Sequence, residues 1–85
     1  MSVRALDRQS LTLELNLLWQ GMLRKEVSES DDFFDLGGDS LAALRMMSQV
    51  QTTYRVELEA PAFFEEPNTR RLAGLIQAAA VGKSE

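Results

Sequence analysis

The chain has 85 residues, of which 45% are hydrophobic and 26% charged, and this is the composition of one small folded domain rather than a disordered segment. Its net charge of -4 argues against nucleic acids and anionic membranes as partners. The absence of cysteine and histidine excludes disulfides, thiolate metal sites and a Ser-His-Asp triad. The sequence has no signal peptide and no apolar run of about 18 residues, so we expect a cytoplasmic location.

The first predicted element is a helix, preceded by a polar lead-in that we expect to be flexible over residues 1–9. Residues 11–17 alternate between leucine and other side chains, a pattern that alone would indicate a strand. When the segment is extended past Trp19, its apolar residues instead follow one helical stripe, formed by Leu11, Leu15, Leu18 and Met22. The longer pattern favours a helix, and we expect Trp19 to lie in the core.

A long connection spans residues 25–39. A loop of this length in so small a domain needs side chains that hold it against the core. The three large apolar residues of the connection are expected to do this: Phe33, Phe34 and Leu36. The acidic residues among them are expected to form a solvated rim: Asp31, Asp32 and Asp35.

The connection ends in the sequence LGGDSL, residues 36–41, and a second helix is predicted to begin at Ser40. Asp39 is a good N-cap, since its carboxylate can accept a hydrogen bond from an amide of the first helical turn. Gly37 and Gly38 allow a sharp turn just before the cap because they have no side chain. The pattern therefore predicts that the Ser40 hydroxyl is exposed at the N-terminus of a helix.

Several chemistries that use such a serine or such an acidic run do not fit. The nucleophile elbow of hydrolases requires a glycine where Ala42 stands, and a phosphate-binding loop requires a lysine directly after its last glycine. A calcium loop counted from Asp31 would place Phe33 at a ligand position, and one counted from Asp35 would end on Met46 instead of a glutamate. What remains is a serine presented to another protein for modification. A phosphodiester there would be stabilised by the helix N-terminus by about 0.3 to 1 kcal/mol.

The segment from Asp32 to Leu41 resembles the 4'-phosphopantetheine attachment motif of carrier proteins. Its aromatic pair and its Leu-Gly-Gly-Asp-Ser sequence resemble the peptidyl carrier (thiolation) domains of nonribosomal peptide synthetases, and the resemblance covers residues 10–80. Fatty-acid carriers usually have acidic residues after the serine, where this chain has residues 42–45, AALR. The resemblance implies a first helix over residues 10–24 and a covalent 4'-phosphopantetheine on Ser40, with Gly38 and Asp39 beside it.

The apolar residues of the second helix, Ser40–Tyr54, fall into two groups on a helical wheel. Leu41 lies beside Arg45 and outside the core arc, and Leu44 lies between that arc and Ser40. Leu41 and Leu44 are therefore candidate partner contacts, and the alternative for each is an exposed leucine without a role. Arg45 should make the basic docking sites of fatty-acid enzymes a poorer match. The arc predicted to face the core consists of Ala43, Met46, Met47, Val50 and Tyr54.

Two further helices are predicted beyond an extended link at residues 56–58. A short helix over residues 62–66 begins after Pro61 and is stopped by Pro67. Residues 64–67, FEEP, resemble the Phe-Glu-x-Pro of carrier proteins, which implies that Phe64 is a core residue and that Phe63 is a partly exposed partner contact. Asn68 or Thr69 is expected to cap the last helix, which fades at Gly82 and packs through Leu72, Leu75, Ile76 and Ala79.

The resemblance implies an all-α fold, a four-helix carrier-protein bundle with three longer helices, one short helix and a long loop between helices 1 and 2. The carrier domain is expected over residues 10–81 and a tail over residues 82–85. Met1 and the single-domain length favour a free-standing carrier, and we expect a monomer.

The implied function is to hold aminoacyl or peptidyl intermediates as thioesters during nonribosomal peptide synthesis. The implied partners are a phosphopantetheinyl transferase with its own Mg²⁺, an adenylating enzyme, and condensation, tailoring or thioesterase enzymes. In the resemblance Asp39 helps to arrange the transferase metal and Leu41 docks against the transferase, while the chain itself binds no metal and catalyses nothing. Two alternatives remain, an acyl carrier of fatty-acid or polyketide synthesis and a small helical interaction module whose serine is never pantetheinylated.

Overall fold

The computed structural model describes residues 7–82, including the side chains of residues 7–80. Residues 7–82 form four helices and no strand: α1 (Arg8–Leu23), α2 (Ser40–Tyr54), α3 (Ala60–Glu65) and α4 (Thr69–Gly82). This confirms the all-α fold with three longer helices, one short helix and a long loop between the first two. None of these four helices is long and apolar enough to cross a membrane.

The start of α1 lies two residues before its predicted position, because Asp7 is its N-cap. The Asp7 carboxylate accepts a hydrogen bond from the Ser10 amide at 2.7 Å, and this bond also lowers the pKa of the Asp7 carboxyl below its ordinary value. Residues 8 and 9 therefore belong to the helix and not to a flexible lead-in. The other residues of the predicted lead-in, 1–6, and residues 83–85 of the predicted tail lie outside the described residues.

The first and last helices, α1 and α4, pack against each other along their buried faces. Leu11 and Leu15 of α1 and Leu72 and Ile76 of α4 are fully buried, as the sequence predicts. A buried hydrogen bond joins the same two helices, with the Thr69 hydroxyl donating to the Asn16 side-chain oxygen. Such a pair satisfies both polar groups and so avoids the cost of leaving them buried and unpaired.

The N-cap of α4 is Asn68, one of the two residues expected there. Its side-chain oxygen accepts a hydrogen bond from the Arg71 amide at 2.8 Å. The core arc predicted for α2 is also confirmed, except that Tyr54 is only half-buried. The Tyr54 phenol donates to the Glu14 carboxylate at 2.6 Å, and partial burial together with this bond raises the pKa of the phenol above its ordinary value.

Three buried aromatic rings form the centre of the core. The Phe33 ring lies edge-on to Trp19 with centroids 4.8 Å apart, and Phe63 lies edge-on to Trp19 at 6.0 Å. Phe33 comes from the long connection. Its amide donates to the carbonyl of Pro67, between α3 and α4, at 2.8 Å. The connection is therefore held to the core as predicted, by Phe33 most deeply and by Phe34 and Leu36 with partly buried side chains.

The positions of Phe63 and Phe64 are the reverse of those predicted. Phe63 is fully buried, whereas Phe64 is 38% exposed. The reason lies in the start of α3, which is Ala60 rather than residue 62. A helix that begins at Ala60 places Ala60 and Phe63 on one face, three residues apart, and this face contacts the core. Phe63 does not reach the surface and is excluded as a partner contact.

Replacing Phe33 with alanine should lower the free energy of unfolding by about 3 to 5 kcal/mol, the usual cost of truncating a fully buried aromatic. The matched change Phe34→Ala should cost clearly less because the Phe34 ring is only half-buried. Chemical denaturation followed by circular dichroism would measure both values. An equal or larger loss in Phe34→Ala would contradict this description of the loop.

Candidate modification site

The Ser40 side chain is exposed at the first position of α2, where the preceding residue caps the helix. The Asp39 carboxylate accepts a hydrogen bond from the Ala42 amide at 2.8 Å, and its carbonyl accepts one from the Ala43 amide at 2.9 Å. The amides of Ser40 and Leu41 precede the first intrahelical donor and have no partner within the helix. A negatively charged group attached to Ser40 would therefore lie beside unpaired amides and the positive end of the helix dipole.

The two glycines before the cap have different structural roles. Gly37 has φ 106°, a backbone conformation that strains residues with a side chain. Gly38 is needed for close packing, because a Cβ there would lie 2.8 Å from Phe33 Cζ and closer still to Cδ2 and Cε2. The Gly38 amide also donates to the Phe33 carbonyl at 3.1 Å. The second role was missed from the sequence, where both glycines indicated only a sharp turn.

Of the three acidic residues predicted to form a solvated rim, Asp35 is exposed as expected, whereas the carboxylates of Asp31 and Asp32 form local hydrogen bonds. One Asp32 carboxylate oxygen accepts hydrogen bonds from the amides of Phe34 at 2.7 Å and Asp35 at 3.2 Å. Asp31 accepts one from the Ser28 amide at 2.9 Å. Asp32 lies two and three residues before the amides that donate to it, a spacing by which aspartate stabilises turns, and this spacing is the sequence signal that could have identified the bonds.

The chemistry available at Ser40 is limited to an accessible hydroxyl. Within residues 7–82 its side chain has no hydrogen-bond partner, and the described residues contain no cluster of acidic, cysteine or histidine side chains that could hold a metal ion. The chain also has no histidine. Because a serine hydroxyl is a weak nucleophile without a base or a metal, Ser40 can react only when a partner supplies one of them.

Three large apolar side chains are exposed on α2 and α3: Leu41 at 58%, Leu44 at 48% and Phe64 at 38%. Leu41 and Leu44 lie one turn apart in the first half of α2, as predicted, with Arg45 exposed beside them. Phe64 was missed as a candidate contact. Its ring packs on Phe34 with centroids 5.8 Å apart, and Phe34 in turn packs on Phe33 beside Gly38, so aromatic contacts connect Phe64 to the loop before Ser40.

The site lies within a segment that matches a known protein family. The family described as "Phosphopantetheine attachment site" matches residues 9–76. Tyrocidine synthase 3 of Brevibacillus parabrevis is 38% identical over 66 residues, which are 76% of this chain and 1% of the synthase. Surfactin synthase subunit 2 of Bacillus subtilis (strain 168) is 36% identical over 81 residues, which are 92% of this chain and 2% of the subunit. The chain thus spans only a small fraction of the length of these relatives.

A solved structure has the same fold. It is a chain from the structure of the phosphopantetheine transferase Sfp in complex with coenzyme A and a peptidyl carrier protein, and it is similar to this chain with a TM-score of 0.74 and 29% sequence identity. The similarity covers 80% of this chain and 90% of that chain. The four-helix arrangement and the loop before α2 therefore belong to a fold already known from experiment.

Replacing Gly38 with alanine should lower the free energy of unfolding by about 1 to 3 kcal/mol, because the new methyl group overlaps the buried Phe33 ring. Gly21→Ala is a matched control within α1, since a Cβ at Gly21 would meet nothing within 4 Å. That change should be neutral or stabilising by about 0.5 to 1 kcal/mol. Thermal and urea unfolding of both variants would test the contact, and equal stabilities would contradict it.

Proposed function

Since the chain is a peptidyl carrier domain of the phosphopantetheine attachment-site family, we propose that Ser40 is the residue to which 4'-phosphopantetheine is attached. The observation that carries this proposal is the exposed hydroxyl without a partner at the capped start of α2, inside the matched segment. When attached, the arm supplies the thiol that this cysteine-free chain lacks. We propose that aminoacyl or peptidyl groups are held on it as thioesters during nonribosomal peptide synthesis.

The surroundings of Ser40 suit a phosphodiester. The side chain is exposed, and the amides of Ser40 and Leu41, which have no partner within α2, lie at the N-terminal end of that helix. In the proposed reaction the Ser40 oxygen forms a bond to the pantetheine phosphorus of coenzyme A. The pyrophosphate bond breaks, and adenosine 3',5'-bisphosphate is the leaving group. The hydroxyl proton passes to the transferase, because this chain provides no base at the site.

The first proposed partner is a phosphopantetheinyl transferase. Leu41, directly after Ser40 and 58% exposed, is proposed to contact it. Asp39 is proposed to face the transferase metal, and its carboxylate can do so because the cap bond to Ala42 involves only one of its two oxygens. Gly38 is proposed to act indirectly, by holding the backbone before Ser40 against Phe33.

The later proposed partners are an adenylating enzyme and condensation, tailoring or thioesterase enzymes. Leu44, Arg45 and Phe64 are proposed to contact them, with Phe64 replacing the buried Phe63 in this role. Exposed apolar side chains near a reactive group are the kind of surface that marks a contact site. A basic residue at position 45 suits partners with acidic or neutral docking surfaces. The domain is proposed to be a substrate of these enzymes and to catalyse no step itself.

The variant Ser40→Ala should keep its fold, because the first position of a helix tolerates alanine well, and should lose all modification. Intact mass spectrometry after incubation with coenzyme A, Mg²⁺ and a broad-specificity transferase should show one added phosphopantetheine on the parent chain and none on Ser40→Ala. Ser48→Ala, at an exposed serine of the same helix, is the matched control and should be modified like the parent. A parent chain that is never modified would favour the interaction-module alternative.

The variant Leu44→Asp should slow loading by an adenylating enzyme, and Leu41→Asp should slow the earlier attachment of the arm. Both side chains are about half exposed, so the melting temperature should change little in either case. Leu13→Asp is the matched control, because Leu13 is 57% exposed on α1. Attachment and loading rates would be measured by mass spectrometry. Normal loading of Leu44→Asp, or an equal effect of Leu13→Asp, would refute the proposed contact surface.

A further inference from the structure

A cationic cleft lies where the start of α1 meets α4. It has a volume of about 330 Å³, and none of its lining residues belongs to α2 or to the loop that precedes Ser40. Three arginines and one glutamate line it, so its formal charge is +2, whereas the whole chain has a charge of -4. Its lining includes Arg8, Glu66, Arg70, Arg71, Leu75 and Ala78.

The three arginines have different partners within the described part of the chain. Arg8 donates from Nε to the Gln77 side-chain oxygen at 2.7 Å, and its guanidinium lies over Gly74, where a Cβ would be 3.4 Å from Cζ. Arg70 is 3.6 Å from the Glu29 carboxylate, and since both side chains are about half exposed this ion pair is weak. Arg71 differs from both. Its Nε is buried, and no residue with a described side chain accepts a hydrogen bond from it.

The excess positive charge of the cleft favours an anionic ligand, and the Arg71 guanidinium forms no ion pair with any described side chain. A guanidinium forms its strongest hydrogen bonds with carboxylates and phosphates. Two features favour a carboxylate on an apolar body. The glutamate in the lining, Glu66, would repel a doubly charged phosphate more than a single carboxylate, and Leu75 and Ala78 offer apolar surface beside the arginines.

We propose that this cleft binds a short acidic peptide segment of a neighbouring polypeptide, with a carboxylate at Arg71 and an apolar side chain against Leu75. Charge complementarity supports this occupant, because the cleft is cationic on an otherwise acidic chain. The matched relatives are far longer than this chain, so a carrier domain of this kind ordinarily has other polypeptide beside it. The cleft is independent of Ser40, and its test does not depend on the modification of that residue.

The test is an NMR titration of the ¹⁵N-labelled full chain with the peptide Ac-Glu-Leu-Glu-Leu-amide. We expect concentration-dependent shifts of the Arg71 Nε–Hε signal and of amides in the first half of α4. The neutral peptide Ac-Gln-Leu-Gln-Leu-amide should give no such shifts. Arg71→Gln should weaken binding about tenfold, because one charge-assisted hydrogen bond is lost. Arg55→Gln, which removes the same charge at an exposed position outside the cleft, should bind like the parent.

Several results would overturn the proposal. They are equal binding of the acidic and neutral peptides, equal affinities of Arg71→Gln and Arg55→Gln, and shifts confined to α2. Inorganic phosphate is titrated in parallel, and saturable binding of phosphate in the absence of peptide binding would also overturn it. If Arg71→Gln does not fold, Arg8→Gln tests the cleft from α1 with the same expected loss. Normal modification of Ser40 in these variants would separate a failure here from a failure of the proposed function.

Discussion

The position of Ser40 depends on how the Phe33 ring packs. This ring contacts Trp19 and Phe63 in the core and also lies against Gly38. Ordering a long loop costs conformational entropy for every residue, and a fully buried aromatic side chain is the largest single contribution that can offset this cost. Because Gly38 is two residues from Ser40, the packing of the core also sets the geometry of the proposed attachment site.

The domain has two chemically different surfaces, one on α2 and one between α1 and α4. The helix that carries Ser40 exposes leucines and a single arginine, whereas the cleft between α1 and α4 exposes mainly guanidinium groups. The buried hydrogen bond between Asn16 and Thr69 joins α1 to α4, the two helices that contribute most of the lining of that cleft. The two surfaces share no residue, so the domain could contact one neighbour through each of them at the same time.

Features that depend on short-range chemistry could be predicted from the sequence. The N-cap at Asp39, the start of α2 and the exposure of Ser40 follow from residues within a few positions of one another. The burial of Phe63 could not be predicted in this way. Adjacent side chains of a helix point about 100° apart, so only one of Phe63 and Phe64 can face the core. Which of the two is buried depends on where α3 begins and on which ring reaches Trp19. The cleft could not be predicted either, because Arg8 and Arg71 are brought together only by the packing of α1 on α4.

The aromatic core also gives the chain an intrinsic optical probe. Trp19 is its one tryptophan, is fully buried and touches the Phe33 ring, which in turn touches Gly38. Indole fluorescence shifts to longer wavelength when the ring becomes exposed to water. The emission of Trp19 therefore reports whether the loop before Ser40 is packed on the core, without any label on the protein. An acyl group added at the surface should leave that emission unchanged, whereas a partner that pulls the loop away from the core should alter it.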